Sequence, residues 1–171
     1  MKIFTATLLM ISTTLLPAKT IKIFYPDGTV RAATTYKNGK KSGVEHIFYS
    51  DGATLKYSHN YINGKKHGIQ QSYSQGAMLI QEVNYNNGLL EGRSRFYQNG
   101  MLESEKDYKN GLLDGVSKTF YSNGLIKSEI TWHKGEAEEG YIYSEDGKRV
   151  SIGTDGLKRV ESENRQSTTI K

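Results

Sequence analysis

The side chains best placed to do chemistry are carboxylates. Glu82, Glu105 and Glu129 recur at almost equal intervals, and Glu103 and Asp107 flank the middle one. If each sits at one wetted position of successive strand pairs, they form an acidic row with a step of about 10 Å, two strand spacings. Such a row suits a basic protein surface, and equally a solvated face that resists aggregation. Lys40, Lys41, Lys65 and Lys66 follow two Asn-Gly pairs and, with Lys37, make a basic edge. That edge fits anionic lipid or an acidic protein, or simply solvates exposed turns. His46, His59, His67 and His133 occupy different positions of the pattern, without the spacing of metal ligands. The chain has no cysteine, which excludes disulfides, thiolate metal sites and a cysteine nucleophile. It also lacks a nucleophile elbow, a P-loop and an Asp-rich calcium loop. The expected chemistry is recognition, without catalysis, metal or other cofactor.

The elements that must position these groups are written as a repeat. Tyr25-Pro26-Asp27-Gly28 returns at Tyr49, Tyr73, Tyr97 and Tyr121, every 24 residues, with a stretched sixth copy at Tyr143–Gly147. A fixed period of this length marks a tandem array in which each unit packs only on its neighbours. Each unit holds two short β-type runs and two turns. The recurring Asn-Gly and Asp-Gly pairs supply the positive φ that two-residue hairpin turns need.

In the second run of each unit the closing aromatics are Tyr36, Tyr61, Tyr85, Tyr108 and Trp132, and even offsets before them are often apolar, from Val30 and Leu55 to Ile126 and Ile130. Odd offsets are overwhelmingly polar, which predicts one packed and one wetted face. Phe24, Phe48, Phe96 and Phe120 precede the signature tyrosines, with Ser72 the exception, and predict an aromatic column. A glycine column (Gly43, Gly68, Gly92, Gly115, Gly140) is expected to let neighbouring aromatics lie on backbone. The expected fold is therefore all-β, a single elongated twisted antiparallel sheet of tandem hairpins.

The ends differ from the body. Lys2 followed by the uncharged run Ile3–Leu16, Pro17 and Ala18 reads as a signal peptide over 1–18. It predicts export to the periplasm, the cell surface or the medium. The repeat domain spans 21–147. Residues 148–171 are expected to add a cap strand through Val150 and Ile152 and then a polar tail, disordered beyond Gly156. The formal charge of +5 resides mostly in that tail and the leader, so the nearly neutral body offers no continuous track for nucleic acid.

Tyr-x-[Asp/Asn]-Gly, an aliphatic residue, then Tyr-x-Asn-Gly-x-x-x-Gly resembles the MORN repeat, and more closely its bacterial variant, over about 21–147. The resemblance implies stacked antiparallel hairpins and a protein partner of unknown identity, a second copy of the chain included. Lipid binding is implied more weakly. It also brings the label of a YwqK-type antitoxin, a protein that binds and neutralises a toxin. An immunity-type role in the envelope agrees better with an exported chain than a cytosolic antitoxin does.

Overall fold

The computed structural model describes residues 17–169, with side chains described to 163. The signal-peptide assignment falls almost wholly outside the described residues. Fifteen strands are followed by one helix: β1 (Lys19–Phe24), β2 (Val30–Lys37), β3 (Lys40–Phe48), β4 (Leu55–Ile62), β5 (Lys65–Lys66), β6 (Gly68–Tyr73), β7 (Leu79–Asn86), β8 (Leu89–Leu90), β9 (Gly92–Gln98), β10 (Met101–Lys109), β11 (Leu112–Leu113), β12 (Gly115–Phe120), β13 (Ile126–His133), β14 (Glu136–Tyr143), β15 (Arg149–Ser151) and α1 (Thr154–Thr169). All strands belong to one antiparallel sheet in the order β1-β2-β3-β4-β6-β7-β9-β10-β12-β13-β14-β15, and the short β5, β8 and β11 pair with β4, β7 and β10. Every connection joins neighbours, so the array is held by local pairing alone, as a repeat stack requires.

Turn chemistry differs between the two ends of each unit. At the Asn87-Gly88 end both residues are left-handed (φ 50° and 92°), the geometry of a type I′ hairpin. The Gly88 N–H also donates to the Lys66 carbonyl of the preceding hairpin (2.8 Å), and Gly64, Gly111 and Gly135 repeat that bond, so the turns are zipped together. Most turns at the signature end are wider. The carboxylate of Asp27 accepts the Thr29 N–H, and that of Asp51 accepts the N–H groups of Ala53 and Thr54. In the third unit Gly76 is not left-handed, and Ala77 takes that role at φ 59°.

The glycine column departs from expectation. Gly43, Gly68, Gly92 and Gly115 have φ between 73° and 111°, and the side chains nearest the first, third and fourth are Thr35, Asn84 and Asp107, not aromatic rings. Gly68, Gly92 and Gly115 follow breaks in pairing, where β5, β8 and β11 give way to β6, β9 and β12, and Gly43 lies within β3 at the register shift of its pairing with β2. Their work is to bend each unit the same way, as glycines at bulges do. The phenylalanine column is split as well. Phe48 and Phe120 lie five residues after the glycine and Phe96 four, and odd and even steps point to opposite faces. Accordingly Phe48 meets His46 edge-on, whereas Lys106 lies over Phe96.

The even-offset face is the packed one: Ala32, Thr34, Val83, Ile130 and Trp132 are buried. Burial pushes the Tyr108 hydroxyl on this face up to about 12. The tail is a second departure, because a helix replaces the expected disorder. Its Leu157 is buried with Leu113, Ile130 and Trp132, and Ile152 and Val160 pack around them. A Cβ at Gly140 would come within 2.9 Å of Ile152 and 3.0 Å of Leu157, so the missing side chain makes the seat for the helix. The cap strand does form through Val150, whereas Ile152 leaves it for this cluster.

Candidate functional site

The wetted face carries one row that crosses the sheet. Backbone register places Gln71 opposite Glu82, Glu82 opposite Arg95, Arg95 opposite Glu105, Glu105 opposite Lys118, and Lys118 opposite Glu129. The three recurring glutamates thus share a column, but Arg95 and Lys118 stand between them. Arg95 Nε donates to Glu105 (2.9 Å) and its Nη1 to Glu82 (3.5 Å), and Lys118 reaches Glu129 at 3.0 Å. Gln71 Nε2 donates to the other Glu82 oxygen at 3.0 Å. One strand position away, Arg93 makes a two-pronged contact with Asp107 (2.9 and 3.1 Å) and stands 3.8 Å from Glu105. Glu103 falls at the register shift of β10 and is exposed. The row is therefore alternating in charge. The cations come from the first runs of the units, so odd offsets in the second runs alone suggested pure acid.

The basic edge divides in two. Lys41 and Lys66 lie across the pairing from Tyr36 and Tyr61, on the packed side. The Lys41 ammonium sits 4.9 Å from the Tyr61 ring centre and Lys66 5.1 Å from that of Tyr85. Lys40 and Lys65 are exposed, and each covers the turn glycine of the next unit (Gly64 and Gly88). Leu89 and Leu112 take the same places farther along, covering Gly111 and Gly135 while remaining 51% exposed. Their partners Leu90 and Leu113 turn inward, Leu113 to 3% exposure.

Sequence reading missed a polar column on the packed face. The residue two places after each bend glycine is Glu45, Gln70, Ser94 or Ser117, and the first three are buried. Glu45 accepts from Thr34 (2.8 Å), Lys41 (2.6 Å) and Tyr61 (3.1 Å), with His59 Nδ1 at 3.6 Å. Burial alone would raise the Glu45 carboxyl, but the hydrogen bonds from Lys41, Thr34 and Tyr61 and the Lys41 charge hold it below the ordinary range. Burial, with nearby Lys66, depresses His59. Gln70 patches an interrupted ladder: its side-chain oxygen accepts the Asn60 N–H (3.0 Å) and its amide donates to the Asn60 carbonyl (3.1 Å). The signal was present in the fixed offset from each glycine.

The signature tyrosines have a structural duty. Tyr25, Tyr49 and Tyr121 donate their hydroxyls to the carbonyls of Phe48, Tyr73 and Tyr143, one unit onward, at 2.9, 2.8 and 2.7 Å. Tyr73 follows its glycine by one residue fewer than Tyr49 does, and bonds Gln71 of its own strand instead. Among the described residues no cluster of three His, Asp or Glu side chains is arranged to hold a metal. No described helix is long and apolar enough to cross a membrane.

No curated protein matches the chain. Among solved structures, one described as the crystal structure of accessory secretory protein 1,2 and 3 in Streptococcus pneumoniae matches at 13% identity and TM-score 0.22, over 89% of this chain and 25% of that one. The chain thus spans a quarter of the length of that match. The family model of the MORN repeat variant matches residues 19–38, 90–110 and 113–134, three segments that coincide with the hairpin units of this sheet.

Proposed function

We propose that the protein is a non-enzymatic, exported protein–protein interaction module whose wetted face is the docking surface. The observation that carries this reading is the alternating row from Gln71 to Glu129, flanked by the Arg93–Asp107 contact. Ion pairs hold these side chains in fixed places, so a partner meets an ordered pattern and spends little entropy in ordering it. The partner that fits is a protein of complementary mixed charge, because an evenly paired surface favours register over bulk attraction. Glu82, Glu105 and Glu129 are the proposed contacts, with Glu103 and Asp107 beside them. The outward Lys40 and Lys65 form a second, smaller edge. A toxin as the captured partner is the narrower, antitoxin-type form of the same reading.

Affinity capture from the native cells, using residues 19–171 as bait, tests it. The expected result is one stoichiometric partner, lost when Glu82, Glu105 and Glu129 are all changed to Gln while the bait stays folded by circular dichroism. Undiminished capture by that folded variant removes the row from the interface. Recovery of the chain in the cytoplasmic fraction removes the export.

A further inference from the structure

Six Asn-Gly pairs are written into the turns, at Asn38, Asn63, Asn87, Asn99, Asn110 and Asn123, and all six asparagines are exposed. An asparagine followed by glycine can lose its amide without an enzyme. The glycine backbone nitrogen gives up its proton and attacks the side-chain amide carbon, and ammonia leaves as a cyclic imide closes. Water then opens the imide to aspartate or isoaspartate. Glycine permits this because no Cβ crowds the ring. A glycine N–H held by a carbonyl must first be released, so a hydrogen bond there protects the asparagine before it.

The structure sorts the six pairs. Gly64, Gly88 and Gly111 donate their N–H groups to the preceding hairpin at 2.7, 2.8 and 2.9 Å. Asn87 and Asn110 are held again by their own N–H groups, on His67 Nδ1 (3.5 Å) and Glu91 Oε2 (2.9 Å). The Gly124 N–H donates to the Tyr121 carbonyl (2.9 Å), and the Asn123 side chain accepts the Leu125 N–H and donates to Glu145. Among the described residues, the N–H groups of Gly39 and Gly100 reach no acceptor, and a Cβ on either glycine would meet nothing within 4 Å. The reason is topological. Gly39 starts the zipped column, so no earlier hairpin offers it a carbonyl. Asn99-Gly100 is a tight turn (φ 52° and 78°) at the signature end, where the wider turns beside it bond within themselves.

We propose that Asn38 and Asn99 are sites of spontaneous deamidation, and that the zipper of turn hydrogen bonds protects Asn63, Asn87 and Asn110. The zipper bond must open before attack, which slows the protected sites about tenfold, the scale of one hydrogen bond. Each conversion replaces a neutral amide by a carboxylate. Isoaspartate also adds a backbone atom, which a two-residue turn cannot take while keeping type I′ geometry. At position 99 that change falls in the hairpin that pairs Arg95 with Glu105. The chemistry is independent of what docks on the wetted face.

The test holds the purified protein at mildly alkaline pH in water labelled with heavy oxygen, and peptide mapping by mass spectrometry follows each asparagine. The expected result is conversion of Asn38 and Asn99 about tenfold faster than Asn63, Asn87 and Asn110. Each product should carry one heavy oxygen and divide between aspartate and isoaspartate. In concentrated urea the rates should come together, because the zipper is gone. Equal rates in the folded protein overturn the proposal, as does survival of Asn38 and Asn99 while the urea-unfolded chain reacts. A ranking that persists in urea also overturns it, because it traces the difference to neighbouring side chains and not to the turn hydrogen bonds.

Discussion

Glu105 is the centre of the charged row, and neutralising it measures how far the row holds the sheet together. It accepts from Arg95 at 2.9 Å, stands 3.8 Å from Arg93, and faces Lys118 across the next strand. Its side chain is 17% exposed, while those of Arg95 and Arg93 are 39% and 50% exposed, so water screens these pairs. Each pair therefore contributes within the surface range, and the Glu105→Gln change should cost about 1–2 kcal/mol in all. For a domain of this size that lowers the melting temperature by roughly 3–6 °C. Glu105→Lys should cost more, because it sets a fourth cation among Arg93, Arg95 and Lys118. The assay is thermal unfolding by circular dichroism at about 20 mM and 1 M NaCl, where the screening length falls to about 3 Å. The Glu105→Gln deficit should shrink by at least half at high salt, and a double-mutant cycle with Arg95→Met should show coupling. A deficit that ignores salt, or singles that simply add, would refute the electrostatic account of this row.

Ala77 holds a left-handed backbone that costs an L-residue roughly 1 kcal/mol. Ala77→Gly should therefore raise stability by about 0.5 kcal/mol after the entropy of glycine is subtracted, measured by urea titration; a loss of stability would contradict this turn geometry. Tyr121→Phe removes the hydroxyl that reaches the Tyr143 carbonyl and should cost about 0.5–1.5 kcal/mol in the same titration. Glu45 is held below its ordinary value of 4.5, so its contribution is complete above that pH and lost as pH falls through the lower folded value. Glu45→Gln should lower stability at pH 7 and flatten the acid limb below pH 4.5, and an unaltered limb in pH-dependent unfolding would count against the buried cluster.

The fold was legible because hairpin signals are local. Asn-Gly pairs and period-two alternation fix turns and faces without knowledge of the rest of the chain. What escaped depended on relations between units. Arg95 and Lys118 lie in first runs, and only the register of β9 with β10 and of β12 with β13 inserts them among the glutamates. The Phe column failed because a single residue more or less between glycine and tyrosine reverses a face. The tail looked too polar to fold. Yet Leu157 and Val160 fall on one side of α1, Ile152 just before it joins them, and Gly140, in the preceding hairpin, leaves the space that Ile152 and Leu157 enter. Low mean hydropathy hides such a helix, since three well-placed contacts suffice when the partner surface already exists.

A one-layer sheet cannot enclose an apolar core between two layers, and this chain meets that difficulty differently at its two ends. Near the start, packed-face positions are closed by polar groups that satisfy one another, with Glu45 joined by Thr34, Lys41 and Tyr61. Near the end, serines replace the long polar side chains, and α1 closes the face with Leu157 and Val160. The first solution needs an ionised carboxylate, whereas the second rests on apolar contact supplemented by one hydrogen bond from the Ala137 N–H to Glu161. His59, depressed by burial beside that carboxylate, adds to the asymmetry: as pH falls below its ordinary 6.5 the unfolded chain takes up the proton more readily than the folded one. The cluster around Glu45 and His59 therefore makes the early units an acid-sensitive part of the array. Because neighbouring units touch only each other, loosening the first hairpins leaves the later ones their full set of contacts.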